Sequence, residues 1–348
     1  MEVTDCNKHN FFITPLMRCV QLRQPKAVSA LLEKGVDANK GIGWYFNRQF
    51  IWQNTPLFYA LTFDIIPLID MLLEKGADPL LDSEKSKKLI ANGVQHGGDF
   101  WLIPFTLALK KGVSMFNRIL QYTNVFTEIG PDKRTSLCDA VELHFARGRD
   151  SFFDQKSFYN MQAKSFYCMQ EIVAKGGVVC SGDTDSPSEE LDMVSSRGVC
   201  SHIVRCLNKM LNVDDTIVGN IFLYPIEALR FVSLISVTDY MHENSCLYKT
   251  LAICTDIFKA RQICFDLHEL DDVSRERVEQ KFEQRRQVLS WMTNITKHPS
   301  SLKHICRVFV RRHIRSLSKE AVQTLQLPDE LINYVYNVKV YIYLCMYM

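Results

Sequence analysis

The chain has 348 residues, 47% hydrophobic and 23% charged, with 15 Gly and 11 Pro. This composition excludes a wholly disordered or collagen-like chain, and the length leaves room for two or three domains. Forty-one basic against 39 acidic residues give a net charge of +2, so no global field points to nucleic acid or a membrane as partner.

The first ten residues have no apolar run behind a basic cluster, so no secretory signal is expected. No stretch approaches the ~20 apolar residues of a bilayer span. The most apolar segment, Val338–Met348, has eleven residues with Lys339 inside; it reads as a strand, a partner-binding tail or a frayed end. These features suggest a reducing compartment, the cytoplasm with the nucleus also open, where thiols stay reduced. The twelve cysteines form no C-x-x-C pair, which removes the strongest zinc and redox signals. Cys200, His202 and Cys206 come nearest to a metal cluster, but on an amphipathic helix they read as packing side chains. Neither a metal nor a cofactor is expected.

Residues 14–37 and 55–78 align without a gap at an offset of 41, with nine of 24 positions identical. The shared residues have physical tasks. Thr14 and Thr55 can cap a helix, with Pro15 and Pro56 at its first position, where no backbone donor is needed. Leu16, Cys19 and Val20, matched by Leu57, Ala60 and Leu61, recur at helical spacing as a buried face. In a second helix Ala27, Ala30 and Leu31 are matched by Leu68, Met71 and Leu72. Gly35 and Gly76 then fall where a helix ends in a left-handed residue. Two such short helices cannot bury their faces alone and must stack on neighbours.

The T-P-L…L-L-E-K-G-(V/A)-D pattern resembles the ankyrin repeat, whose usual period is about 33 residues. The resemblance implies an all-α ankyrin-repeat solenoid with degenerate later repeats. Some eight extra residues lie between the first two units, within 41–53. A third unit is expected at 103–109 and 115–120. A fourth opens at 135–141 and closes at 172–177, and a fifth covers 191–207 with Gly198 between its helices. The polar segment 181–190 reads as a loop. The repeat region therefore spans 10–210, followed by a helical bridging region at 211–297. Within it the charged run 275–286 reads as a solvated helix face.

His298 and Pro299 break the preceding helix, and the next begins near Ser301. Leu302, Ile305, Cys306, Phe309 and Val310 then form one helical stripe. The opposite face is basic: Lys297, Lys303, Arg307, Arg311, Arg312, Arg315 and Lys319 give +7 over 23 residues without an acid. Among the twelve cysteines only Cys306 has a leucine four residues before it. Ser301, Leu302, Cys306 and Val310 at this spacing resemble the elongin-binding box of SOCS-box proteins. Leu325, Leu327 and Pro328 resemble the second, cullin-choosing element of that box, with Gln326 where a proline is usual.

The whole resembles the ankyrin-repeat and SOCS-box family. That resemblance implies a three-helix SOCS box at 298–337 and an apolar tail at 338–348. Ser301, Leu302, Ile305, Cys306, Phe309 and Val310 would then bind elongin C, held with elongin B. Leu325, Leu327 and Pro328 would meet a cullin, by the family pattern cullin-5, with its RING protein. The chain would be the substrate-recognition subunit of a cullin–RING ubiquitin ligase, its repeats holding an unknown protein target.

Trp44, Tyr45, Phe46, Arg48, Phe50 and Trp52 are the candidate target-binding residues, since large aromatics and Arg anchor interfaces. The same rings also fit a satellite core folded back on the first repeats. A second candidate surface is the glycine-bearing segment 95–101. No phosphate loop, nucleophile elbow or H-E-x-x-H pattern is present, so the chain reads as a non-catalytic adaptor. The runner-up is an ankyrin interaction scaffold unrelated to ubiquitination. Nucleic-acid contact through the basic helix face is disfavoured by the absence of interleaved aromatics.

Overall fold

In the computed structural model the described residues are 2–4, 10–46, 49–81, 103–127, 135–146, 166–180, 199–211, 225–236, 238, 245–260, 272–297, 305–306, 308–310 and 328. They are mostly helical. The chain divides into two compact units, Met1–Asn124 with Ile129–Pro131, and Val125–Glu128 with Asp132–Met348. The division falls inside the span 10–210 read from the sequence as one repeat region.

Among its described residues the first unit holds six short helices: α1 (Pro15–Gln21), α2 (Pro25–Glu33), α3 (Pro56–Thr62), α4 (Ile66–Glu74), α5 (Pro104–Lys111) and α6 (Val113–Leu120). They pack as three consecutive pairs, with α1 against α3, α3 against α5, and α2 against α4. The first two pairs share their helix caps and turn bonds at the offset of 41. Thr14 Oγ1 accepts from the Met17 N–H at 3.1 Å, as Thr55 Oγ1 does from Phe58 at 3.1 Å. Arg23 and Asp64 turn the chain between helices at φ 53° and 54°, and Gly35 and Gly76 end the second helices at 78° and 87°. Those last two angles favour glycine, because a Cβ there crowds the following carbonyl.

Asp37 Oδ1 accepts from the Asn39 N–H at 2.9 Å, and Asp78 Oδ1 from Leu80 at 2.8 Å. Asn39 also joins the two turns: its Oδ1 accepts from the Asp78 N–H at 2.8 Å and its Nδ2 donates to the Gly76 carbonyl at 3.3 Å. In the third pair Ile103 stands at the helix start without a side-chain cap. The Phe105 N–H donates to the Pro79 carbonyl at 2.9 Å instead, and Gly112 alone links α5 to α6.

The core departs from the sequence reading by one step. On α1 the buried residues are Leu16, Met17 and Val20, with Cys19 only half-buried. On α2 Val28 and Leu32 are buried, while Ala30 is exposed and Ala27 and Leu31 half-buried. The equivalent α4 face is Leu68, Ile69, Leu72 and Leu73, with Met71 half-buried. On so short a helix, stripes one residue apart differ by only 100°, and the stacked neighbour decides between them.

The all-α expectation also lacks a small antiparallel sheet in the order β1-β2-β3-β4, made of Glu2–Thr4, Asn10–Ile13, Ile42–Phe46 and Gln49–Asn54. The residues inserted between the first two pairs form the β3–β4 hairpin, and β2 extends it, pairing Phe11 with Trp44 and Ile13 with Ile42. Thr14 ties the sheet to α1, donating its N–H to the Gly41 carbonyl at 3.0 Å and its hydroxyl to Lys40 at 2.9 Å.

The second unit holds α7 (Ser136–Ala146), α8 (166–174), α9 (Ser201–Leu211), α10 (Pro225–Ser236), α11 (Cys246–Ala260) and α12 (Asp272–Lys297). Helix α9 packs against α7, α10 and α11, and α12 against α10 and α11. Phe231–Ser236 are buried without a break, which makes α10 the central helix. The charged part of α12 near residues 275–284 is exposed or half-buried, and its buried residues Arg285, Val288, Leu289 and Met292 follow.

Arg285, 8% exposed, donates from Nε to the Leu211 carbonyl and from Nη2 to the Phe258 carbonyl, both at 2.8 Å. Those carbonyls belong to the ends of α9 and α11, where oxygens lack intrahelical donors and the helix dipole favours a cation. Burial pulls the Arg285 guanidinium below its ordinary pKa, yet an arginine stays charged at neutral pH.

Two stability effects follow. Arg285→Met strands two buried carbonyls and should cost about 3 kcal/mol, while Gly76→Ala, which meets only backbone strain, should cost roughly 1–2 kcal/mol. Urea midpoints at unchanged slope would report both losses.

Candidate functional site

The C-terminal segment presents apolar side chains outward. Residues 305–306 and 308–310 are helical. Ile305 is 40% and Phe309 53% exposed, Cys306 is exposed and Val310 half-buried, whereas Val308 is 1% exposed. The helix therefore turns Val308 inward, and the stripe Ile305, Cys306 and Phe309 faces away from it. Large apolar side chains side by side in solvent are costly without a partner, and such faces mark interaction sites. Pro328 is exposed as well. Ser301, Leu302, Leu325 and Leu327 lie outside the described residues.

In the first unit, Trp44, Tyr45 and Phe46 fall on β3, and Phe50 and Trp52 on β4, with Tyr45 opposite Phe50 and Gly43 opposite Trp52. Arg48 and the segment 95–101 lie outside the described residues. Two residues missed in the sequence stand out: Leu22 and Phe63, 52% and 50% exposed, occupy equivalent places just after α1 and α3. Phe63 packs its ring against Tyr59, centroids 4.6 Å apart. The only available signal was their shared apolar character at the offset of 41.

The third feature is a buried cluster of thiols. The Sγ atoms of Cys138, Cys180 and Cys200 all lie within 4.8 Å of one another, each residue 2% exposed or less. The sequence reading grouped Cys200 with His202 and Cys206; the fold groups it with Cys138 and Cys180, far away in sequence. Cys206 is buried on α9. The segment carrying Cys180 is shaped by Gly176, at φ 87°, and by Gly177, where an added Cβ would come within 2.4 Å of Ile172 Cγ2.

Comparison with known families assigns the C-terminal segment. Residues 298–335 match the SOCS box, the module that recruits elongin B/C and a cullin in E3 ubiquitin ligase complexes. The chain thus carries a SOCS box at its C-terminus, spanning the outward stripe. Comparison with curated proteins gives no match. Among the described residues no helix is long and apolar enough to cross a membrane.

The exposure pattern predicts a labelling order. In the isolated chain Cys306 should be alkylated well before Cys168 and Cys254, whose thiols burial pushes up to about 12, because only an accessible thiolate reacts. Peptide mass spectrometry after timed iodoacetamide treatment reads the order; equal rates would contradict the placement of these three residues.

Proposed function

We propose that this chain is the substrate-recognition subunit of an elongin B/C–cullin–RING ubiquitin ligase. The observation that carries the reading is the SOCS box at 298–335 with Ile305, Cys306 and Phe309 outward on its helix. Leu302 and Ile305 would enter an apolar pocket of elongin C. The small Cys306 lets the partner approach closely, and Phe309 and Val310 extend the contact from Ser301 onward. Leu325, Leu327 and Pro328 would meet the cullin, for which cullin-5 is the choice despite Gln326.

The stacked helix pairs of the first unit are read as ankyrin-like. Capping threonines followed by proline, glycine-ended second helices and joined turns support that reading. The target would be a protein held by the β3–β4 hairpin residues Trp44, Tyr45, Phe46, Arg48, Phe50 and Trp52. The chain contributes no catalytic group; ubiquitin transfer rests on holding the target beside the loaded conjugating enzyme, an effect of proximity. The complex would work in the cytoplasm, the nucleus remaining open.

Co-expression with elongins B and C should yield a stable ternary complex. Leu302→Ala should weaken it on the order of 30-fold, as loss of an interface anchor does, and Cys306→Phe should abolish it by collision while leaving the thermal midpoint unchanged. A parent chain that never retains elongin would instead fit a scaffold unrelated to ubiquitination. Trp44→Ala with Phe46→Ala should lose targets from proximity-labelling profiles while elongin stays bound. Unchanged profiles would remove the hairpin from the target surface.

A further inference from the structure

The thiol cluster goes beyond anything the SOCS box requires. Cys138 lies in the first turn of α7, Cys180 in the segment after α8, and Cys200 immediately before α9. A fourth thiol joins them: Cys246, the first residue of α11, lies within hydrogen-bonding reach of Cys180. Segments separated by 20 to 46 residues thus bring the sulfurs of Cys138, Cys180 and Cys200 to one buried point, with the half-buried Cys246 beside Cys180.

Two buried threonines fix the arrangement. Thr135 Oγ1 accepts from the Cys138 N–H at 3.4 Å, donates to the Val178 carbonyl at 2.6 Å and lies 3.5 Å from Cys138 Sγ. It therefore binds the Cys138 arm to the Cys180 arm. Thr250 Oγ1 accepts from the Cys200 N–H at 2.9 Å, donates to the Cys246 carbonyl at 2.7 Å and lies 3.9 Å from Cys246 Sγ. It binds the other two arms together. Thr135 is 1% and Thr250 0% exposed.

We propose that Cys138, Cys180, Cys200 and Cys246 form a structural zinc site. A tetrahedral zinc with Zn–S bonds of about 2.3 Å holds its sulfurs roughly 3.8 Å apart, so the spacing of Cys138, Cys180 and Cys200, within 4.8 Å of one another, needs only small adjustments, and Cys246 would swing in from beside Cys180 as the fourth ligand. Three buried sulfurs with a half-buried fourth beside them suit a soft cation of tetrahedral preference. Three of the four cysteines stand at starts of helices of eleven or more residues, where backbone N–H groups favour thiolates.

Without a cation, burial and then hydrogen bonds with Cys138 and Cys180 push the Cys200 thiol above its ordinary value, and the hydrogen bond with Cys180 and then burial push Cys246 up; neighbouring thiolates would in addition repel one another. Binding replaces that repulsion. The four thiols release four protons to solvent as Zn²⁺ takes four thiolates, leaving a site of net charge −2 whose affinity falls as pH falls.

The full-length chain, purified without chelator, should contain one zinc per chain by elemental analysis. Stripped and reloaded with Co²⁺, it should show sulfur-to-cobalt charge transfer in the near ultraviolet with tetrahedral d–d bands. Zinc should raise its thermal midpoint. The variant Cys138→Ser/Cys180→Ser/Cys200→Ser should lose all three responses. Cys246→Ser should weaken binding at least ~10-fold, the lower end of what even outer-shell partners cost, and Cys254→Ser should bind like the parent. Should the triple variant fail to fold, the cobalt spectrum and proton release of the parent decide. A folded parent that takes up neither metal overturns the proposal, as does iron in place of zinc, or zinc retained by the triple variant.

Discussion

A helix of seven to nine residues does not hold in water alone, and every described helix of the first unit is that short. Its architecture follows from that constraint. Each helix needs a partner in its own pair to bury one side and a helix of the next pair to bury the other. Side chains alone would leave the pairs free to slide, so the turns are fixed as well: Asn39 accepts from Asp78 and donates to Gly76, locking one turn to the next. With the stack pinned at the turns, residues can be added between pairs without disturbing them. The β3–β4 hairpin is such an addition, anchored where Thr14 bonds the Gly41 backbone.

The second unit meets the same burial problem with longer helices and buried polar groups. Its helices offer more apolar surface, but their ends are drawn inside, where orphan carbonyls and N–H groups must be satisfied. Arg285 answers for the C-terminal ends of α9 and α11, and Thr250 answers for the chain entering α9. These bonds are directional in a way that apolar contact is not, so they select one arrangement among the many that would bury similar area. That selection places Cys200 and Cys246 side by side.

How much of this could be read from the sequence depended on distance along the chain. The duplication of 14–37 in 55–78 exposed the caps, the turns and the glycine ends, because each is a local device with a residue requirement. The buried face of α2 was displaced by one residue, since Val28 and Leu32 are chosen by contacts with α4 rather than by periodicity over nine residues. The insertion was legible as aromatic but not as strands: its pairing partner is β2, some thirty residues earlier. The SOCS box was legible because Leu302, Cys306 and Val310 lie within nine residues. The thiol cluster was not, because Cys138, Cys180, Cys200 and Cys246 share no spacing and meet only through the packing of α7, α9 and α11.

One residue type does opposite work in the two settings. At Cys306 the thiol matters for being small and outside: in the proposed receptor it leaves room for a partner between Ile305 and Phe309, where a larger side chain would hold the surfaces apart. At Cys138, Cys180 and Cys200 the thiols are closed off from solvent and lie within 4.8 Å of one another. A chain selected only for small buried side chains could use Ala or Val at these places with no sulfur to protect from oxidation. Thiols gathered from separate segments, each held by a buried threonine or a constrained glycine turn, are therefore better explained by a cation that needs them than by packing.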